Sequence, residues 1–343
     1  MELKKIIKEG LKKIGFGKNK NDDIEEENHK IPTEPNIDDS GNYYDTMDEE
    51  NNIGNEKKSE YKIEIPEEKT VDIEISKIEP IELPESESTE NIDRNNIILK
   101  VDNAYGISHK GNRSNNEDYI LIEKIKDIYL LAVADGIGGY NAGEIASEMA
   151  VNILKEIIIE KYNENLSIDE IKELLQKAYH EAHNKIKENA IGDKEGMGTT
   201  LTTAIIKGDK CIIANCGDSR AYLIRDGEII HRTKDHSLVQ ALIDEGHISE
   251  EDARHHPMKN IITSALGLDE FKIDDYEWDL INGDVLLMSS DGLHDYVSKE
   301  DILKIVNNND NPIDIVNELL NTALEETRDN VSVIVYQLPT TIE

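Results

Sequence analysis

The sequence predicts an α+β fold, a four-layer α/β/β/α sandwich of two mostly antiparallel sheets flanked by helix pairs. Short apolar, β-branched runs follow one another without alternating with helices, whereas a parallel sheet requires that alternation. The predicted helices come in two pairs, one in the middle of the folded region and one near its end. Asp226-Gly227 lies between two apolar runs, and an Asp-Gly pair in that position is a strong signal of an antiparallel hairpin.

The first half of the folded region is predicted to contain three strands followed by two helices. The strands are expected at Asn103–Ser108, Asp118–Glu123 and Ile128–Ala134. The first helix runs from about Ala142 to Lys161. The second begins at Ser167, because Ser167 and Glu170 make a capping box. Its apolar residues recur at helical spacing on one face, which indicates core packing.

The second half contains more strands and the second helix pair. Strands are expected at Thr199–Ile206, Lys210–Cys216, Ala221–Ile224, Glu228–Ile230, Phe271–Trp278, Asp284–Ser290 and Val331–Tyr336. Helical segments are expected at Ser237–Ala253, Lys299–Asn307 and Pro312–Glu325. Asp135-Gly136 and Asp291-Gly292 differ from the hairpin pair, because a helix or loop follows them and not a returning strand.

Three regions of different composition follow one another along the 343 residues. Residues 1–20 carry seven lysines among apolar residues at helical spacing, which predicts a basic amphipathic helix. Residues 21–100 are predicted to be an acidic disordered linker, since residues 21–95 hold 25 acidic and 7 basic residues. Alternation between Tyr61 and Leu83 would fit a strand, but like charges and the lack of a turn partner favour the linker. Residues 101–339 form the folded domain.

Composition and charge exclude several classes of partner. The formal net charge of −35 argues against nucleic acid, because a phosphate backbone needs a basic face. No apolar run approaches the ~18 residues of a membrane span, and the start lacks the apolar centre of a secretory signal. Cys211 and Cys216 fall in or beside one buried strand and are expected to be inert, so a cytoplasmic location is the simplest expectation. The helix at Met1–Lys20 either docks weakly to a membrane or an acidic partner, or frays in isolation.

Carboxylates recur where apolar runs begin or end. The aspartates in such positions are Asp135, Asp218, Asp291 and Asp329, and Asp295, Glu117 and Asp118 lie close to them in sequence. Desolvating neighbouring carboxylates is costly, and a divalent cation offsets the cost. No His or Cys falls among them at ligand spacing, so oxygen-only ligation favours Mg²⁺ or Mn²⁺ over zinc. Taken singly, each aspartate could instead be a cap or turn residue.

Glycines and one arginine accompany these carboxylates. The glycine-rich turn after Asp135 lets backbone approach a ligand, so the Gly136 carbonyl can join Asp135 in coordination. No Gly-Lys-Ser/Thr follows, which excludes a nucleotide P-loop. Arg113 is either a structural counter-ion for the acidic cluster or a bidentate ligand for an anionic substrate group.

Six motifs occur in a fixed order along the folded region. They are Arg113-Ser-Asn-Asn-Glu-Asp118, Asp135-Gly-Ile-Gly-Gly139, Gly198-Thr-Thr200, Gly217-Asp-Ser-Arg220, Ser290-Asp-Gly-Leu-His-Asp295 and Arg328-Asp-Asn-Val-Ser332. In this order they resemble the PPM family, the metal-dependent type 2C serine/threonine protein phosphatases, in its compact bacterial form. The resemblance covers about Asn103 to Leu338, and the first hundred residues match nothing that we can place.

The resemblance implies a β-sandwich with two Mn²⁺ or Mg²⁺ ions at one edge and a metal-activated water that hydrolyses phosphoserine and phosphothreonine on proteins. Asp135 would bridge both ions, and Arg113 would bind the phosphoryl group, so these are the expected catalytic residues. The other implied metal ligands are the Gly136 carbonyl, Asp291 and Asp329, with Glu117 and Asp118 acting mainly through bound water. Asp218 and Asp295, with Asp291, would form a third, weaker metal site. The expected partners are phosphorylated proteins, including a serine/threonine kinase of the same cell and its targets.

The sequence departs from the family pattern at one position and leaves one alternative open. Some members have a histidine where this chain has Ile137, so another group must protonate the leaving oxygen. His236 is a candidate, although a histidine packing at a helix start is the competing interpretation. Cys216 and Arg220 are too close in sequence for a cysteine-based phosphatase loop. The alternative function is a catalytically silent family member acting as a metal-binding interaction module, which would require lost ligands.

Overall fold

A computed structural model describes residues 93–138 and 142–338 of the chain. The helix predicted for residues 1–20 lies outside the described residues, as does the predicted linker up to residue 92. In the described ranges, no helix is long and apolar enough to cross a membrane.

The described residues form strands and helices in the order that the sequence predicts, with three additions. The strands are β1 Asn96–Val101, β2 Ala104–His109, β3 Asp118–Ile125, β4 Ile128–Ile137, β5 Gly198–Thr199, β6 Leu201–Lys207, β7 Lys210–Cys216, β8 Arg220–Arg225, β9 Glu228–Arg232, β10 Asp274–Asp279, β11 Val285–Ser289 and β12 Val331–Gln337. The helices are α1 Ala142–Lys161, α2 Ile168–Asn189, α3 Leu238–Asp244, α4 Glu250–Arg254, α5 Asp291–His294, α6 Lys299–Asn308 and α7 Pro312–Leu324. The additions are β1, α5 and a 3₁₀ turn at Gly192–Lys194, and the single strand predicted at Thr199–Ile206 is divided into β5 and β6.

The strands make two antiparallel sheets. One has the order β1-β2-β12-β11-β8-β9, and the other has the order β10-β7-β6-β4-β3 with β5 beside β4. The predicted hairpin at Asp226-Gly227 is confirmed: both residues have positive φ, 50° and 83°, and β8 returns as β9. Positive φ at both central residues is what a two-residue hairpin turn requires.

Three hydrophobic layers separate four layers of secondary structure. Helices α1 and α2 cover the outer face of the β4-β6-β7 sheet, and α6 and α7 cover the outer face of the other sheet. The inner faces of both sheets meet in a third cluster that includes Leu131, Leu286 and Ile334. The predicted α/β/β/α sandwich is therefore confirmed. The Ser167 capping box that begins α2 is also present.

Strand β1 corrects the predicted start of the folded region. Residues 96–100 were assigned to the disordered linker, but they pair with β2 at the edge of the first sheet. The turn between β1 and β2 contains Asp102 at φ 47° and no glycine, so it lacks the usual hairpin signal. Ile97 is fully buried, and Leu99 and Val101 on the same face of β1 are half-buried against the core between the sheets.

The helical segment predicted at Ser237–Ala253 is two short helices, α3 and α4. Gly246 has φ 72° and interrupts the segment, and Ser249 caps the second helix with its hydroxyl on the Asp252 amide. A glycine in this left-handed conformation commonly ends a helix. The interruption places α3 and α4 beside β9, where they border a cleft described below.

Candidate active site

The candidate carboxylates lie where strands of the two sheets end close together. Asp118 at the start of β3 pairs in register with Asp135 near the end of β4. Ser290, directly after β11, donates a hydrogen bond of 2.8 Å to Asp118 Oδ2, which connects the two sheets. Antiparallel pairing of β11 with β12 brings the segment before Val331 to the same edge. The fold thus brings together residues that are far apart in sequence.

Asp118 is a buried carboxylate held by two serines. Its Oδ2 accepts hydrogen bonds from Ser290 Oγ and from Ser332 Oγ, the latter at 2.7 Å. Burial raises the pKa of Asp118 to about 7, although the two serine hydroxyls act in the opposite direction. Its negative neighbours Asp329 and Glu117 raise the pKa further. Asp118 is therefore poised between the protonated and ionised forms near neutral pH.

Asp135 and Asp291 are both surrounded by other carboxylates of the site. Burial is the first cause that raises the pKa of each well above its ordinary value, and neighbouring aspartates are the next. For Asp135 the neighbours include Asp118 and Asp291, and for Asp291 they include Asp218. Oδ1 of Asp291 is buried and has no hydrogen-bond partner among the described residues. A buried carboxylate oxygen without a donor needs a positive charge or a proton.

Asp218 and Asp295 extend the acidic cluster on the side of β8. Burial, Asp235 and Asp295 raise the pKa of Asp218 to about 7, while Arg220 opposes them. Asp295 Oδ2 pairs with Lys259 Nζ at 2.7 Å. Lys259 thus neutralises Asp295, one of the carboxylates predicted for a third metal site.

Arg113 contacts the acidic cluster through Asp329. Its Nη2 lies 2.9 Å from Asp329 Oδ2, and its Nε donates to the Arg328 carbonyl at 3.0 Å. The Arg113 side chain is 51% exposed, so one edge of the guanidinium faces solvent while the other holds Asp329. Both functions weighed for Arg113, counter-ion and anion ligand, are compatible with this position.

Gly136 lies in a place where no side chain fits. A Cβ built there would lie 2.2 Å from the Gly143 carbonyl oxygen and 2.6 Å from the Glu117 carbonyl oxygen. The Gly136 amide donates to the Glu117 carbonyl at 3.1 Å, which ties the end of β4 to the segment before β3. Burial raises the pKa of the Glu117 carboxyl, and Asp329 and Glu144 add to that effect.

The donor set fits a hard divalent cation in chemistry. It consists of carboxylates with one orphaned buried oxygen, and Mg²⁺ and Mn²⁺ prefer oxygen ligands. In residues 93–138 and 142–338, no three His, Cys, Asp or Glu side chains are arranged to hold an ion. Two of the candidate ligands pair with cations of the chain instead: Asp329 with Arg113, and Asp295 with Lys259. These ion pairs are one reason why the carboxylates are not arranged around an ion.

The repulsion between these carboxylates predicts a pH-dependent response to metal. The pKa of Asp118 is about 7 in the fold against an ordinary value of 3.8, so its stabilising contribution is complete below about pH 4 and is lost as pH rises through 7. A cation that binds the ionised cluster restores this loss. We therefore expect saturating Mn²⁺ to raise the melting temperature by about 5–10 °C at pH 8, and by clearly less at about pH 5.5. Differential scanning calorimetry with and without Mn²⁺ measures both shifts, and equal shifts would contradict the prediction.

Several residues that position the site were not singled out from sequence. Asn330 Oδ1 accepts from the Glu117 amide at 2.8 Å, and its Nδ2 donates to the Lys110 and Asn115 carbonyls. Thr200 Oγ1 accepts from the Asp135 amide at 2.9 Å. Asn330, Ser332 and Thr200 all belong to the quoted motifs, so the signal was present without an assigned role.

His236 packs into the protein and does not face the carboxylates as a proton donor. Its Nδ1 accepts from the Gly217 amide at 3.2 Å, which places the proton on Nε2, and Nε2 lies 3.0 Å from Asp274 Oδ2. Both ring nitrogens are engaged, so the packing interpretation is favoured over a general acid. Cys211 and Cys216 are buried and unpaired with each other, as predicted.

Comparisons with known proteins agree on one family. The sequence profile described as protein phosphatase 2C matches residues 105–330. The serine/threonine phosphatase stp of Listeria welshimeri is 42% identical over 199 residues, which cover 56% of this chain and 79% of that protein. The serine/threonine protein phosphatase PstP of Mycobacterium tuberculosis is 38% identical over 194 residues, 56% of this chain and 36% of that protein.

Solved structures give the same result for the fold. The serine/threonine phosphatase of S. agalactiae superposes with a TM-score of 0.64 at 36% identity, covering 68% of this chain and 99% of that one. The catalytic domain of PstP in complex with two manganese ions gives a TM-score of 0.59 at 32% identity, covering 71% of this chain and 99% of that one. With a profile match over most of the sandwich and solved relatives of the same architecture, this chain belongs to the protein phosphatase 2C family.

Proposed function

We propose that this chain is a protein phosphatase that hydrolyses phosphoserine and phosphothreonine in proteins with the help of two Mn²⁺ or Mg²⁺ ions. The observation that carries the proposal is the buried, partnerless Oδ1 of Asp291 within a cluster of carboxylates at the strand ends. Relatives named as serine/threonine phosphatases support the reaction, and the PstP structure with manganese supports the choice of metal. A serine/threonine kinase and its targets are the natural source of such substrates.

In this proposal the chain supplies the metal ligands from strand ends. Asp135, Asp291, Asp329 and the Gly136 carbonyl would hold the two ions, with Glu117 and Asp118 reaching them through water. Asp218 and Asp295 would complete a third, weaker site with Asp291, and Lys259 would have to leave Asp295 for that to happen.

The chemistry divides between the metal and the side chains. Mn²⁺ or Mg²⁺ held by these carboxylates would supply a water of lowered pKa and positive charge against the phosphoryl oxygens. Arg113, at the exposed edge of the cluster, orients the phosphoryl group with the N–H groups that Asp329 does not occupy. Ser290 and Ser332 fix the position of the Asp118 carboxyl group through their hydrogen bonds to its Oδ2. A carboxyl group held in this way could orient a neighbouring water.

Replacing Arg113 tests its role in binding phosphate. We expect Arg113→Ala to raise the KM for a phosphopeptide about tenfold, because one charge-assisted interaction with phosphate is lost. Mn²⁺ affinity, measured by calorimetric titration, should change by less than about threefold, since the neighbouring carboxylates remain. Arg113→Lys is the matched control, because it keeps the charge and loses the planar fork. Equal losses of metal and phosphate affinity would assign Arg113 to holding Asp329.

The proposed reaction is tested directly with purified full-length protein. Hydrolysis of p-nitrophenyl phosphate and of a phosphothreonine peptide should require Mn²⁺ or Mg²⁺ and stop on chelation. If Mn²⁺ binds, as seen by calorimetry, and neither substrate is turned over, the chain is a silent metal-binding interaction module instead.

A further inference from the structure

We propose that the cleft beside the carboxylate cluster binds an anionic side chain of the substrate, a few residues away from the phosphoserine or phosphothreonine, through Arg232 and Arg254. The inference rests on the proposed phosphatase function and adds a substrate class to it. The preferred substrates are segments that carry a second phosphate or an acidic residue near the phosphate to be removed.

The cleft shares part of its lining with the metal-ligand candidates. It has a volume of about 500 Å³, and Asp218, Asp291 and Asp295 are among the side chains that line it. The β8–β9 hairpin, helices α3 and α4, and the start of α6 line it as well. A peptide whose phosphate lies beside these carboxylates could therefore place its neighbouring residues against the rest of the lining.

Four cationic side chains of the cleft act on one buried residue, His294. Arg220, Arg232, Lys259 and Arg254 all lower the pKa of His294, after the larger effect of burial. Two of the four are already neutralised. Arg220 makes a bidentate contact with Asp235 at 2.6 to 3.1 Å, and Lys259 pairs with Asp295.

The other two cations have weak partners or none. Arg232 Nη2 lies 3.6 Å from Glu250, whose side chain is 66% exposed, and 3.3 Å from Gln240 Oε1. Arg254 has a buried Nε with no hydrogen-bond partner among the described residues. A guanidinium N–H that is removed from water and lacks an acceptor favours an incoming anion. Arg254, and Arg232 in part, thus have hydrogen-bonding capacity that the described residues leave unused.

The walls of the cleft fit a peptide better than a small inorganic ion. Ile229, Val239, Ile243, Val297 and Ile302 line it together with the cations. Apolar walls bury the aliphatic parts of a peptide, while the guanidinium groups select a carboxylate or a phosphate.

The net charge of the chain bears on how Arg232 and Arg254 would affect substrate binding. At a formal net charge of −35, the protein repels acidic substrates at long range. The cleft is also lined by acidic side chains, namely Asp218, Asp235, Glu250, Glu251, Asp291, Asp295 and Glu300. Arg232 and Arg254 are therefore positions at which an anionic group of the substrate meets positive charge inside an acidic surface. The resulting preference should be screened by salt, because the cleft is open to solvent.

Three phosphothreonine peptides that differ at one flanking position test the inference. The flanking residue is Ala, Glu or a non-hydrolysable phosphonate analogue of phosphothreonine, since a second phosphothreonine would itself be a substrate, and each peptide is made with that position before and after the target residue. In the unmodified protein with Mn²⁺ we expect an anionic flank on one side to raise kcat/KM about tenfold over Ala. The Glu and phosphonate arms distinguish carboxylate from phosphate recognition, and a preference for either supports the inference.

Substitutions then assign the preference to the cleft. In the double variant Arg232→Gln/Arg254→Gln, the ratio of kcat/KM between the anionic and Ala peptides should fall to about one, and Arg254→Lys should keep an intermediate ratio. Lys185→Gln removes one positive charge from the exposed face of α2 and is the matched control that keeps the ratio. A ratio unchanged in the double variant would overturn the inference.

A measurement on the unmodified protein does not depend on whether the variants fold. The ratio should fall as NaCl is raised from about 50 to about 500 mM. A ratio near one at low salt on both sides of the target residue would overturn the inference, while hydrolysis of the Ala peptide would leave the phosphatase function standing. Absence of hydrolysis of every phosphopeptide would instead reject the phosphatase function.

Discussion

Asp291→Asn is expected to reduce metal-dependent turnover by at least about 10²-fold while raising the melting temperature of the metal-free protein at pH 8. Asp291 is half-buried with its Oδ1 removed from solvent, and burial together with Asp218, Asp295 and Asp329 raises its pKa well above the ordinary value. At pH 8 the metal-free protein must either keep Asp291 protonated or tolerate the repulsion between its carboxylate and the neighbouring aspartates. Asparagine has the same shape and no charge, so it relieves that cost and at the same time removes a proposed metal ligand.

The opposite signs of the two effects make the prediction specific. Activity is measured with p-nitrophenyl phosphate over a range of Mn²⁺ concentrations, and stability by calorimetry in the presence of a chelator. Asp284→Asn is a matched control, because Asp284 is buried but its carboxylate pairs with Arg225 at 2.6 Å. That variant should lose stability and keep turnover. A fall in melting temperature for Asp291→Asn without metal would show that Asp291 has a structural partner in the fold.

The sequence was informative about the proposed metal ligands because several of them lie near the boundary of an apolar run. Asp135 lies two residues before the end of β4, and Asp291 follows β11 after one residue, Ser290, so the change from apolar residues to Asp-Gly marks the carboxylate and, to within two residues, the strand end. The same local reasoning predicted the four layers, since helix pairs and hairpins are encoded by residues close in sequence. Strand β1 was not predicted because it follows the acidic segment directly and because its turn into β2, at Asp102, contains no glycine.

The contacts that hold the ligands in place were not predictable in this way. Ser290 donates to Asp118 across 172 positions, and Asn330 accepts from the Glu117 amide across 213. Such bonds depend on the register between sheets, which no short pattern records. The ion pair between Arg113 and Asp329 also joins residues far apart in sequence. The sequence therefore left the role of Arg113 open, and the structure shows that its guanidinium contacts Asp329.

Gly292→Ala should remove activity through the backbone and leave every ligand side chain unchanged. A Cβ on Gly292 would lie 1.8 Å from the Asn330 carbonyl oxygen and 2.8 Å from the Asn330 carbonyl carbon. Both atoms belong to the backbone next to Asp329, so no flexible side chain can move aside. Either α5 or the start of β12 must shift, and Asp291 then moves relative to Asp329. We expect turnover to fall on the order of 10²-fold, because displacements near 1 Å have effects of that size.

Overpacking should also lower the free energy of unfolding of this variant, by about 1–3 kcal/mol. Urea unfolding in the presence of a chelator measures the stability, and Mn²⁺ titration calorimetry should show weaker binding because the two aspartates are no longer in register. Gly208→Ala is the matched control: its Cβ would have nothing within 4 Å, and its φ of 60° limits the cost to about 1–2 kcal/mol of backbone strain. Both variants lose stability, but the turn between β6 and β7 is remote from the carboxylates, so only Gly292→Ala should lose metal affinity and turnover. Equal Mn²⁺ affinity in the two variants would mean that the close approach of Gly292 to Asn330 serves packing alone and does not set the distance between the metal ligands.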